Sequence, residues 1–139
     1  MQLFLDGLWV KPTIDLPTMN TAVVYPGTII FEGTNISEGR GTTKPFEVIA
    51  ADFITEPNEL AKRLNEEFQY NGVVFRPASF YKRYIYLQIQ YFFKLNFTNL
   101  IILFNRHGKF AGKKVGGVQI HVTDRDDFWS VQVGAEILK

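Results

Sequence analysis

The chain has 139 residues, a formal net charge of +1 and 46% hydrophobic residues. That suits one globular domain with its own core, and near-neutrality removes any electrostatic case for nucleic acid as a partner. It has no cysteine, which excludes disulfides and thiolate metal sites, and two histidines far apart in sequence make a poor metal cluster, so neither metal nor cofactor is expected.

Met1 to Val10 mixes apolar residues with Asp6-Gly7 and reads as an irregular lead-in. It lacks the basic region, apolar run and small-residue cleavage site of a signal peptide. Lys11 to Thr18 contains Pro12 and Pro17, which enforce extended backbone. Thr21 to Tyr25 is short and β-branched, and Pro26-Gly27 marks a turn, so the segment reads as a strand; a helix beginning near Asn20 is the alternative. Thr28 to Phe31 is read as a further strand. From Glu32 to Thr42 the hydrophobic period disappears, with Ile36 the lone apolar residue and three glycines interrupting the run. Phe46 to Ala50 again reads as a strand.

Thr55 to Phe68 is the clearest helix. Leu60, Ala61, Leu64 and Phe68 fall on one face, with Lys62, Arg63, Glu66 and Glu67 mainly on the other. Asn71-Gly72 stops it, and Val73 to Phe75 follows as a short strand. Tyr84 to Phe104 is then nearly all apolar or aromatic, with Lys94 its single charge. Its length approaches a membrane span, but a central lysine costs about 2.5–3.5 kcal/mol on insertion; a hairpin turning near Asn96 and a helix both remain open. Such a surface, if exposed, favours self-association through residues 84–104. Gly108 to Gly117 reads as a loop. Val118 to Val122 is a strand with Val118, Ile120 and Val122 on one face and His121 on the other. A helix is expected from about Asp126 to Leu138, burying Phe128, Val131, Ala135 and Leu138. The sum is an α+β domain: a small mixed sheet packed by two main helices, with an atypical apolar stretch.

The run from Glu32 to Thr42 concentrates directional chemistry on pliable backbone. Glu32, Glu38, Arg40, Asn35, Ser37 and Thr42 all lie on it, and polar loops held by regular structure commonly form sites. The plain alternative is a solvent loop whose Glu38–Arg40 pair is a surface ion pair of little worth. A phosphate-binding reading of Gly39-Arg40-Gly41-Thr42 fails, because the lysine and spacing of a P-loop are missing.

The run Glu32-Gly-Thr-Asn-Ile-Ser-Glu-Gly-Arg-Gly-Thr-Thr-Lys-Pro-Phe46 resembles the signature of the NamZ family of exo-acting β-N-acetylmuramidases, formerly a bacterial family of unknown function. Trp9 to Thr18, Gly72 to Phe80 and Gly116 to Arg125 agree with it in order, with a departure at Asp15, where the family carries asparagine. The resemblance leaves out roughly Tyr81 to Arg106, so residues 82–106 read as an insertion into a single domain spanning 1–139. It implies the carboxy-terminal part of a glycosidase releasing terminal N-acetylmuramic acid from peptidoglycan fragments. An amino-terminal Rossmann-like domain would then complete the cleft, with a secreted or periplasmic setting. A glycosidase needs two carboxyl groups, so Glu32 and Glu38 are the candidate catalytic carboxylates, one or the other serving acid/base work or sugar-hydroxyl binding, and Asn35, Ser37, Arg40, Thr42, Arg76 and His121 are the candidate substrate-binding residues. The competing reading is a non-catalytic carbohydrate-binding, peptidoglycan-binding or interaction domain, and the polypeptide by itself could be inactive.

Overall fold

The structure is a computed structural model that describes residues 4–5, 8–67, 70–81, 109–110 and 112–138. Its centre is an antiparallel sheet of three strands, β3 (Val48–Ala51), β4 (Val73–Tyr81) and β5 (Lys114–Val122), in the order β3-β5-β4. β5 is the middle strand; Val118 pairs with Ile49 on one side and Pro77 on the other. The period-two alternation read in Val118–Val122 holds. Val118 and Ile120 enter the main core with Ile49, Val73 and Phe75, and Val122 packs against it. The opposite face carries a smaller cluster of Val48, Ala50 and Val115, covered by Ala78, Phe80 and Phe110.

Among the described residues three helices join the sheet in the α+β architecture expected: α1 (Met19–Thr28), α2 (Pro57–Glu67) and α3 (Ser130–Ile137). α2 follows its amphipathic pattern, burying Ala61 and Leu64 with Leu60 packed against the core. Asn65 fastens it to β4: its side chain accepts from Phe75 N–H (2.9 Å) and donates to Phe75 C=O (2.8 Å).

Several local readings are corrected. Residues 4–5 and 8–9 form a two-residue antiparallel ladder, β1 (Phe4–Leu5) with β2 (Leu8–Trp9), where the sequence reads as an irregular lead-in. Thr21–Tyr25 is helix, the alternative reading, and Thr28–Phe31 is helix end and 3₁₀ turn (Ile29–Gly33), not strand. Thr18 caps α1 by accepting from Thr21 N–H, and Val24 is wholly buried, so capping and packing override the β-branched composition. Pro26 sits inside the helix in its last turn, where its missing N–H forfeits the rung to Ala22 C=O. β4 runs on through Pro77 to Tyr81, tolerated because β4 lies at the sheet edge among the described strands. β5 begins at Lys114, inside the expected loop.

α3 starts four residues later than expected and buries a different stripe. Phe128 is buried ahead of the helix, Val133 and Gly134 are buried within it, and Val131 and Leu138 are exposed. The cause is the crossing with α1. A Cβ on Gly134 would stand 2.0 Å from Gly27 O, so the two backbones touch there. Ser130 Oγ accepts from Gly27 N–H and donates to Val24 C=O, both at 2.8 Å. The apolar stretch at 84–104, the inferred insertion at 82–106 and Phe68 of the α2 stripe lie outside the described residues.

Candidate functional site

The segment between α1 and β3 is built from local turns tied to the sheet edge. Phe31 is buried in the 3₁₀ turn. Thr34 Oγ1 donates to Phe31 C=O (2.9 Å) and accepts from Ile36 N–H (3.1 Å). Ser37 then pairs with Ala50 through two backbone hydrogen bonds of 2.8 and 3.0 Å, adding one rung outside β3. The chain turns back at Gly39, whose φ of +79° admits no ordinary side chain and whose Cβ would meet Val48 O at 2.6 Å. Thr42 Oγ1 donates to Gly39 C=O (2.7 Å), and Phe46 N–H donates to Glu38 C=O (2.7 Å), closing the loop.

This frame draws three charges together. Arg40 Nε donates to Glu38 Oε1 at 2.8 Å, and Arg40 Nη2 lies 2.9 Å from Glu32 Oε1. The guanidinium also stacks over Phe46, 5.3 Å from the ring centroid. The pair is therefore no surface salt bridge: the Glu38 and Arg40 side chains are 3% and 10% exposed, whereas Glu32 is 53% exposed. Burial alone would raise the Glu38 carboxyl, but its own backbone N–H, Arg40 and Lys109 together hold it below the ordinary 4.5. Burial likewise works against the Arg40 cation, and the two carboxylates more than offset it, so its pKa is raised. The cluster is one guanidinium between two glutamate side chains, one sealed and one wet. Glu38 Oε2 and Arg40 Nη2 are buried without a hydrogen bond of acceptable alignment.

The other expected residues divide. Asn35 is exposed on the same loop. Ser37 is buried, with its hydroxyl accepting from Gly39 N–H at 3.3 Å, and Thr42 is spent on Gly39; both shape the loop. Among the described residues, neither Arg76 nor His121 makes a hydrogen bond or ion pair to the cluster. Both alternate with core residues, Arg76 with Phe75 and His121 with Ile120, so they occupy the sheet face opposite the main core. Among the described residues no group of three or more histidines or acids could hold a metal ion.

Two participants escape a sequence reading. Lys109 Nζ donates to Phe31, Glu32 and Ile36 C=O, each at 2.9 Å, and lies 3.6 Å from Glu38 Oε2. It sits in a lysine- and glycine-rich run that carries no signal of a long-range contact. Glu47 is buried, its Oε1 accepting from Thr21 Oγ1 (2.6 Å) and Thr18 Oγ1 (3.3 Å) and its Oε2 lying 3.0 Å from Lys44 Nζ. It fastens β3 to the first turn of α1; a carboxylate leading into a buried strand was its available signal.

The family model described as exo-β-N-acetylmuramidase NamZ, C-terminal, matches residues 23–139. A peptidoglycan β-N-acetylmuramidase NamZ of Bacillus subtilis (strain 168) is 41% identical over 131 residues, covering 94% of this chain and 26% of that protein. The crystal structure of a DUF1343 family protein from Bacteroides fragilis NCTC 9343 aligns with a TM-score of 0.68 at 24% identity, over 94% of this chain and 28% of that one. The second likeness is one of fold. The chain spans about a quarter of the length of each of these relatives.

Proposed function

The chain belongs to the family of NamZ exo-β-N-acetylmuramidase carboxy-terminal domains, and from that premise we propose that it is the carboxy-terminal part of a glycoside hydrolase acting on peptidoglycan fragments. The substrate of this reading is a saccharide ending in N-acetylmuramic acid, and the reaction releases that terminal residue. The observation that carries the reading is the clamped guanidinium of Arg40, with the half-exposed Glu32 beside it.

Glycosidic cleavage commonly needs one carboxyl group to protonate the leaving oxygen and a second to attack the sugar or activate water. Glu32 and Glu38 take different parts in this proposal. Glu38 is buried and ionised, with no proton to give at neutral pH, so it is assigned to holding Arg40 rather than to proton transfer. Glu32 keeps one face in solvent and is the candidate for acid/base work or for accepting a sugar hydroxyl. Arg40 supplies a fixed positive charge that can meet the lactyl carboxylate of muramic acid. Asn35 can reach hydroxyl or acetamido groups. The general acid comes from a further, Rossmann-like domain of the complete enzyme, facing this loop. Arg76 and His121 fall outside this cluster and are given no part in it.

Turnover of a chromogenic β-N-acetylmuramide tests this, with the 139-residue chain assayed alone and mixed with the amino-terminal domain of a longer relative. Activity restored by the mixture and lost in Glu32→Gln supports a shared site. Saturable binding of muramic acid without turnover in the mixture would instead favour a carbohydrate-binding module. No binding at all would sink the glycan reading.

A further inference from the structure

We infer that Lys109 is a positioning residue whose ammonium fixes the path of residues 31–38 and so the aim of Glu32 and Arg40. The inference rests on the functional reading above only for its consequence in sugar binding; its structural content stands alone.

A lysine ammonium has three N–H donors. Here all three are taken by backbone carbonyls at equal distances of 2.9 Å. Two of those carbonyls, of Phe31 and Glu32, end the 3₁₀ turn; the third, of Ile36, immediately precedes the Ser37 rung on β3. One cation therefore pins both ends of the segment that exposes Glu32. With its donors spent, Lys109 reaches the Glu38 carboxylate only through space, at 3.6 Å, which is why Glu38 Oε2 keeps no hydrogen bond although a cation stands beside it. The same charge supports the ionised Glu38 that holds Arg40.

The position of Lys109 is itself built. Its neighbour Phe110 takes a φ of 60° and packs on Val48, Ala50 and Val115, and Phe110 C=O accepts from Lys113 N–H at 3.0 Å. The aromatic ring anchors the turn on one sheet face while the Lys109 ammonium meets the carbonyls of the segment. Lys109 is 26% exposed at the side chain, so its carbonyl contacts lie in a partly water-excluded setting where each is stronger than in bulk water.

The test compares wild type with Lys109→Met, which keeps the stem and removes the ammonium. Amide hydrogen exchange and a pH titration of the Glu38 carboxyl carbon by NMR are the readouts. The inference expects the Ser37 and Phe46 amides to exchange at least tenfold faster, the β4–β5 amides to keep their protection, and the Glu38 midpoint to move upward. Lys109→Ala with added propylammonium should recover part of the lost protection. Unchanged exchange at Ser37 and Phe46 would overturn the inference. Equal loss of protection across the whole sheet would overturn it too, by making Lys109 a general stability residue. If the loop loosens as expected but wild type binds no N-acetylmuramic acid, the positioning role stands and the functional reading falls.

Discussion

At the scale of residues, the two glutamates of the loop should separate into a structural and a chemical role. Glu38 is sealed against Arg40, and removing one member of a buried ion pair costs about 3–5 kcal/mol because the other charge is stranded. Glu38→Ala is therefore expected to lower the unfolding free energy by about that amount in urea titration. Glu32 is half in water, where an ion pair contributes about 0–1 kcal/mol, so Glu32→Gln should leave stability nearly unchanged while abolishing binding or turnover. The lowered Glu38 pKa sets a pH dependence: its stabilisation is complete above the ordinary 4.5 and fades as pH falls through the lower folded value. The difference in Tm between wild type and Glu38→Gln should thus be largest near pH 7 and shrink in acid; a constant difference would remove Glu38 as the source. The convergence of Glu32, Glu38 and Arg40 was legible because all three lie within nine consecutive residues on glycine-broken backbone. The cation that binds three of the segment's carbonyls was not, because Lys109 reaches them from more than seventy residues away. Alternation gives Arg76 and His121 their sheet face, opposite the main core, but does not say whether that face carries a site.

At the scale of elements, what could be read depended on whether local pattern and tertiary contact agreed. α2 and the Val118–Val122 part of β5 each repeat their own period along one buried face, so sequence alone places them. α1 is the opposite case. Thr21, Val23 and Val24 favour strand and Pro26-Gly27 favours a turn, yet the Thr18 cap and the burial of Val24 and Thr28 make it helical. α3 was misphased because its contact point with α1 is Gly134, which has no apolar side chain for periodicity to register. That contact is testable. A methyl group at residue 134 would lie 2.0 Å from Gly27 O, so one helix must move, and overpacking of this kind costs about 1–3 kcal/mol. Gly134→Ala should therefore destabilise the protein by that amount in chemical denaturation, although alanine is the better helix former. An unchanged or higher midpoint would mean that the α1–α3 crossing can open without loss.

At the scale of the whole molecule, the sheet register bears on the apolar stretch at 84–104, which the sequence reading takes as part of an insertion. Tyr81 and Lys114 are the last directly paired residues of β4 and β5, so residues 82–113 join two adjacent, antiparallel strand ends. Such ends need only a short turn to connect them, and the cost of closing a loop grows slowly with its length. Among the described residues of that connection, Lys109 and Phe110 meet the loop and the sheet, and both lie in its final part. Removing residues 83–105 should then preserve the β4–β5 ladder and the Arg40 clamp. Shortening the connection by this much should add about 1 kcal/mol through reduced loop entropy. Thermal unfolding compares stability, and amide exchange at Ser37 and Phe46 reports whether Lys109 still reaches its carbonyls. A folded deletion variant with unchanged protection would mark 83–105 as an insertion dispensable to this domain. Loss of the ladder would make that stretch part of the core on which the site depends, and the single-domain reading would have to include it.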